Sequence, residues 1–211
     1  YKSFFPQLIA GPIVRAKEFL PQLNRWTIQR SDVICGFRMF LMGFFQKAVM
    51  ADPLSVMVDS VFSHLSLYAP QTLWITLLAY SAQIFYDFSG YSLMAVGLAR
   101  ILGFQFPKNF DYPYLALSLQ DFWHRWHITL STWLRDYLYI PLGGSRGSKL
   151  RTTFNIAVTM LLGGLWHGAG LNFILWGALH GLTLIVIRFL PESLKAYSPK
   201  LLSWVATQAL V

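Results

Sequence analysis

The chain has 211 residues, 55% of them hydrophobic, 17% aromatic and only 12% charged, with a mean hydropathy of +0.46. Soluble domains carry about 25% charged residues, so the composition excludes an ordinary water-soluble globule and indicates a multi-pass membrane protein. The net charge of +8 does not indicate a nucleic-acid partner. Lys and Arg are dispersed between apolar runs, as the positive-inside bias places them, and no nucleic-acid motif accompanies them.

Residues 1–30 are interrupted by Pro6, Gly11, Pro12 and Pro21 and carry Arg15, Lys17, Arg25 and Arg30. They read as a re-entrant or interfacial segment. A helix is expected over residues 32–50, with Asp32 as N-cap and Asp52-Pro53 as its stop. Arg38 and Lys47 on that helix would snorkel to the interfaces. Cys35 is the sole cysteine, which excludes an intrachain disulfide and a Cys-based metal cluster.

Two hydrophobic helices are expected next, from Gln71 to Tyr86 and from Tyr91 to Leu102, with Asp87-Phe88-Ser89-Gly90 as the break between them. Residues 103–117 read as a loop, and His64 falls in another. An amphipathic helix is expected from Leu119 to Tyr139, ended by Pro141-Leu142-Gly143-Gly144. On it Trp123, Trp126, Leu130, Trp133 and Tyr137 would form one aromatic face. His124, His127, Ser131 and Arg135 would form an adjacent polar stripe at helical spacing. Such a stripe is too costly to face lipid and should face a cavity.

The stretch from Thr152 to Ile187 contains no Asp, Glu, Lys or Arg, yet holds His167 and His180. It is expected to form two helices, 152–166 and 172–188. The basic loop 145–151 and the cluster Arg188, Lys195 and Lys200 flank them, so the two would form a hairpin with His167 at its Gly-rich tip. Non-helical backbone at membrane depth is tolerated only if buried in protein or lining a wet cavity.

Histidine is suited to moving protons near neutral pH. His167, between Gly163-Gly164 and Gly168-Ala169-Gly170, reads either as such a group or as a hydrogen-bonded residue between packed helices. His180 reads as a packed, hydrogen-bonded helix residue. His124 and His127 lack the further ligands a metal site requires. Asp87 and Asp121 would orient a histidine, pair with Arg125 or Arg135, or cap a helix. Arg135-Asp136 would contact an anionic donor or lie at an interface. Neither a P-loop nor a Gly-x-Ser-x-Gly elbow is present.

The run Asp121-Phe122-Trp123-His124-Arg125-Trp126-His127 through Ile140-Pro141-Leu142-Gly143-Gly144 resembles the signature of the membrane-bound O-acyltransferase (MBOAT) family. More narrowly it is similar to the bacterial branch typified by the alginate O-acetylation membrane protein, with teichoic acid D-alanyl transfer proteins as more distant relatives. Gly163 to Gly168, Phe5-Pro6-Gln7-Leu8-Ile9-Ala10-Gly11-Pro12-Ile13 and Tyr86-Asp87-Phe88-Ser89-Gly90-Tyr91-Ser92 resemble further motifs of that family, in the same order. Members are considerably longer, so the chain is expected to be a fragment of the family domain.

The resemblance implies an all-α polytopic bundle around a central funnel, in a bacterial inner membrane, with residues 1–211 forming one partial MBOAT domain. It implies His167 as the catalytic general base and His127 as its partner, orienting the acceptor or polarising the thioester. A histidine buried there would stay neutral, as a base must. Asp121, Trp126, Ser131, Arg135, Trp166 and Asp87 are expected to support or bind substrate. No bound cofactor and no metal are expected. The implied donor is a thioester from the cytoplasm, acetyl-CoA or an acylated carrier protein. The implied partners are the lipid bilayer, a periplasmic acetyltransferase, a polysaccharide acceptor and an acyl carrier protein, with no nucleic acid. A non-catalytic scaffold or a transport subunit of a polysaccharide export system is the competing reading.

Overall fold

The computed structural model describes residues 4–8, 11–191 and 200–211. Among them there is no strand. Ile9 and Ala10 of the first motif, and Lys195 of the second basic cluster, lie outside the described residues. The chain divides into two compact units, residues 1–109 and 110–211.

The first unit is built on two long antiparallel helical rods. α1 covers Ala16–Leu23 and α2 covers Arg30–Phe44. A π-helical segment, Phe45–Ala51, continues α2 directly into α3, Asp52–Phe62. α4 runs unbroken from Pro70 to Ile101. Two of the sequence expectations fail here. Asp52-Pro53 does not stop a helix, because the chain stays helical from the π-helical segment into α3 and Pro53 falls where the hydrogen-bond register changes. The π-helical turn absorbs the register change. Asp32 is not a cap either. Gln29 holds that position, and Asp32 accepts from Arg100 Nε at 3.2 Å.

Asp87-Phe88-Ser89-Gly90 does not interrupt α4, and the reason is visible in its partner. A Cβ built on Gly90 would lie 2.7 Å from the Gly43 carbonyl oxygen, and one on Gly43 would lie 2.5 Å from that of Gly90. Gly36 and Gly97 make the same reciprocal approach at 2.6 Å each way. These glycines let two backbones touch, the usual device of membrane helices. Ser89 donates to Gln46 Oε1 at 2.9 Å, and Lys47 Nζ reaches Asp87 at 2.5 Å and Asp52 at 2.7 Å. The polar residues of the motif therefore pair across helices instead of ending one. Lys47 is held between the two carboxylates. At one end of the rods Phe19, Phe104 and Phe106 are buried with Val14, Val96 and Ala99.

The second unit contains α5 (Leu119–Arg125), α6 (Ile128–Leu134), a π-helical turn (Arg135–Tyr139), α7 (Lys149–His167), α8 (Leu171–Phe189) and α9 (Lys200–Leu210). The expected hairpin is present as α7 and α8, each a few residues longer than the sequence suggests. A Cβ on Gly164 would run into the Phe173 carbonyl, and one on Gly177 would lie 2.5 Å from the Met160 carbonyl oxygen. Nineteen residues give α7 a length of about 28 Å. Asn155 is buried and donates to the Gly144 carbonyl at 2.9 Å, while Arg151 Nε and Nη2 donate to that of Leu142 at 3.1 and 3.0 Å. These bonds fasten the turn after residue 140 to α7.

Among the described residues, two helices are long and apolar enough to cross a membrane, Arg30–Phe62 and Leu171–Phe189. Only 11% and 17% of their apolar windows are buried. The core helix of a soluble protein would be mostly covered, so these apolar surfaces suit lipid or further protein.

Candidate active site

The expected continuous helix from Leu119 to Tyr139 is broken between Trp126 and His127. Trp126 is extended (φ −100°, ψ 128°), and His127 adopts left-handed backbone angles (φ 43°, ψ 55°) as N-cap of α6. Positive φ is uncommon outside glycine, with His, Asn and Asp its most frequent other occupants. Such strain clusters at functional sites. The break also removes the expected faces, because spacing across it no longer follows the helical period.

The break separates the two histidines that spacing alone places together. His124 ends exposed on α5, whereas His127 is 3% exposed. Trp123 and Trp126 enter an aromatic core. Trp126 stacks on Phe122, centroids 5.5 Å apart, and meets Phe110 edge-on at 5.1 Å. Leu119, Phe122 and Ala116 are buried beside them, with Leu184 and Ile187 of α8 packed against this group. Trp133 and Tyr137 stay largely exposed. The aromatic residues thus serve two environments, not one face.

Local polar contacts hold the break. Ser118 caps α5 by accepting from the Asp121 N–H at 3.0 Å. The Asp121 carboxylate accepts from Arg125 Nε at 2.7 Å, and the Arg125 carbonyl accepts from the Asp111 N–H at 2.9 Å. The Asp121 carboxylate keeps the Arg125 guanidinium above its ordinary range. Ser131 donates across the break to the Trp126 carbonyl at 3.3 Å. Of the roles open to Asp121 in the sequence, the structure selects pairing with Arg125. Burial pushes the nearby Tyr114 phenol up to about 12, and its carbonyl accepts from Trp204 Nε1 of α9 at 2.7 Å.

His167 is the last residue of α7. Gly168 ends the helix at φ +155°, and a Cβ there would sit 2.6 Å from the Phe173 ring. The His167 imidazole is exposed among aromatic rings: Trp166 edge-on at 5.0 Å, Trp176 edge-on at 5.3 Å and Phe173 roughly parallel at 6.3 Å. Trp166 also meets the His127 ring at 5.9 Å. One indole therefore touches both histidines.

His127, His167, Trp166, Trp126, Asp121, Ser131 and Arg135 all lie in the second unit, the first three in ring contact. Arg135 is bound to its neighbour Asp136 at 2.7 Å and is 56% exposed. Asp87 belongs to the first unit, where it lies inside α4 and pairs with Lys47 instead of capping a helix. Trp176 and Phe173 are not marked out by the sequence motifs. Trp176 stands four residues before His180, a spacing that puts both on one helix face and is the signal that could point to it.

The sequence profile of the membrane-bound O-acyltransferase family matches residues 1–204. The chain belongs to the MBOAT family. It is 46% identical over its whole length to the probable alginate O-acetylase AlgI of Pseudomonas syringae pv. tomato. It is 44% identical over 98% of its length to the peptidoglycan O-acetyltransferase of Helicobacter pylori. The teichoic acid D-alanyltransferase of Bacillus subtilis is more distant, 28% identical over 92% of the chain and 52% of its own length. The chain spans 40% of the length of the first two relatives. The MBOAT membership agrees with the all-helical architecture and with the resemblance carried by the histidine motifs.

Proposed function

We propose that the full-length protein is a multi-pass bacterial inner-membrane O-acyltransferase that moves an acetyl group from a cytoplasmic thioester to a hydroxyl acceptor in alginate-type exopolysaccharide O-acetylation. One observation carries this reading. In an MBOAT chain, a buried histidine on a strained left-handed break and a histidine at a helix end share one indole, Trp166. The 46% identity to alginate O-acetylases supports acetyl as the group and a polysaccharide as the acceptor.

In the proposed reaction His167 accepts the proton of the acceptor hydroxyl as its oxygen attacks the thioester carbonyl. The new C–O bond forms, the C–S bond breaks, and the proton passes from His167 to the departing thiolate. His127 orients the acceptor or donates to the carbonyl oxygen where negative charge develops. Its rigid backbone and burial suit that positional task. Asp121, Ser131 and Trp126 support the break that sets His127. Trp166 spaces the two imidazoles. Arg135 and Asp87 retain a supporting role only through the ion pairs described above. The donor is acetyl-CoA or an acylated carrier protein, and a periplasmic acetyltransferase receives or completes the transfer.

The test is acyl transfer by purified full-length protein supplied with radiolabelled acetyl-CoA, the periplasmic acetyltransferase and alginate. Transfer of label to polysaccharide, lost on His167→Ala, is expected. Protein that transfers no label with either histidine intact, but moves polysaccharide in liposomes, would contradict the enzyme reading in favour of transport. Label delivered to peptidoglycan and not to alginate would replace the acceptor.

A further inference from the structure

His180 is 2% exposed, yet the proposed reaction makes no use of it. It lies one turn after Trp176 on α8, and the two rings are tilted together at 4.7 Å. On its other side the Trp123 indole stands edge-on at 5.3 Å. Trp176 in turn meets the His167 ring edge-on at 5.3 Å. The expectation that His180 is a packed residue holds, but the expectation that it is hydrogen-bonded holds less well. Its Nδ1 and the Trp123 Nε1 are both buried without a hydrogen-bond partner among the described residues. Polar atoms are seldom left in that state by packing alone, and an apolar side chain would fill the volume without that cost.

From this geometry we infer that His180 is a positioning residue for His167, acting through the Trp176 indole. The inference rests on the proposed role of His167 as base. α8 fixes the Trp176–His180 pair by its i, i+4 spacing, and Trp123 of α5 closes the other face. The indole is thereby held against the imidazole of His167, whose own exposed position at the end of α7 supplies little restraint. Trp123 also meets Phe122 edge-on at 5.7 Å, and Phe122 stacks on Trp126 at the break, so the aromatic contacts run from His180 to the segment that carries His127.

The experiment uses purified full-length protein with radiolabelled acetyl-CoA, the periplasmic acetyltransferase in excess and alginate, comparing wild type, His180→Ala, His180→Phe, Trp176→Leu and His167→Ala. Misplacing a catalytic group by an ångström lowers turnover by about 100-fold. His180→Ala is expected to lower kcat about 10- to 100-fold per folded molecule, with KM for acetyl-CoA little changed and the pH profile of kcat displaced. His180→Phe, which keeps a ring against Trp176, is expected to recover part of the loss. Trp176→Leu should reproduce the loss, and it carries the test if His180→Ala does not accumulate. Unchanged kcat and pH profile in His180→Ala or Trp176→Leu, with His167→Ala inactive, would overturn the inference and leave the base in place. Full activity in His167→Ala would overturn the proposed base and the inference with it, an outcome distinct from silence at His180 alone.

Discussion

The Trp166 indole stands between two histidines, its ring centroid 5.9 Å from that of His127 and 5.0 Å from that of His167. The two come from separate elements of the second unit: one from a break between short helices, the other from the last residue of α7. Their convergence on one aromatic ring makes a joint chemical role the economical reading of the unit.

The backbone at His127 makes a prediction separable from chemistry. Its left-handed angles cost a β-branched residue about 1–3 kcal/mol, whereas Asn visits that region readily. His127→Asn should keep wild-type thermal stability in detergent and lose most transfer activity. His127→Val should lose activity and also melt at a lower temperature. Equal melting temperatures for the two would argue against a strained backbone at this position.

Gly43 and Gly90 predict a packing effect with no direct connection to the histidines. A Cβ on Gly43 would meet the Gly90 carbonyl oxygen at 2.5 Å. Backbone cannot swing aside as a long side chain can, so Gly43→Val should destabilise the first unit by about 1–3 kcal/mol or more. Thermal unfolding of the purified protein, followed by circular dichroism, measures it. A melting temperature within a degree of wild type would mean the two helices do not approach this closely.

Much of this fold is legible in the sequence, and the failures have identifiable causes. The hairpin of α7 and α8 follows from a charge-free run flanked by basic clusters. Helix punctuation misleads at Asp52-Pro53 and at Asp87 to Gly90. There a π-helical turn accommodates Pro53, and Gly90 serves close packing against Gly43, which local propensity does not reveal. The helical period between Leu119 and Tyr139 also misleads, because no proline or glycine marks the break at His127. Tertiary packing of Trp126 against Phe110 and Phe122, with the Asp121–Arg125 pair, imposes that break. The place of His167 at the hairpin tip is legible in the sequence, whereas its ring contact with Trp176 requires the folded arrangement of α7 and α8.

The Lys47 cluster predicts non-additive mutations. Lys47 serves Asp52 and Asp87 together, and all three side chains are between 39% and 54% exposed. Exposed pairs contribute less than about 1 kcal/mol each, but removing the shared cation leaves two carboxylates facing each other. Lys47→Met should therefore destabilise more than Asp87→Asn, and the double variant should recover part of the loss. Strictly additive melting shifts in this cycle would show that the pairs contribute nothing in the folded protein.

Gly168 gives the corresponding prediction at the hairpin tip. Its φ of +155°, and a Phe173 ring that would stand 2.6 Å from any Cβ added there, leave no room for a side chain. Gly168→Ala should displace Phe173 or the His167 ring and lower acyl transfer about tenfold or more, with less effect on protein accumulation. Wild-type transfer by Gly168→Ala would show that the tip tolerates a shift of its backbone.

The most direct measurement is the acetyl content of exported polysaccharide in cells whose only copy of the full-length protein carries His167→Gln, normalised to the protein present in the membrane. A base removed without altering the fold should leave acetylation at the background of a deletion strain. Normal acetylation at normal protein levels would contradict the assignment of His167, and with it the central claim.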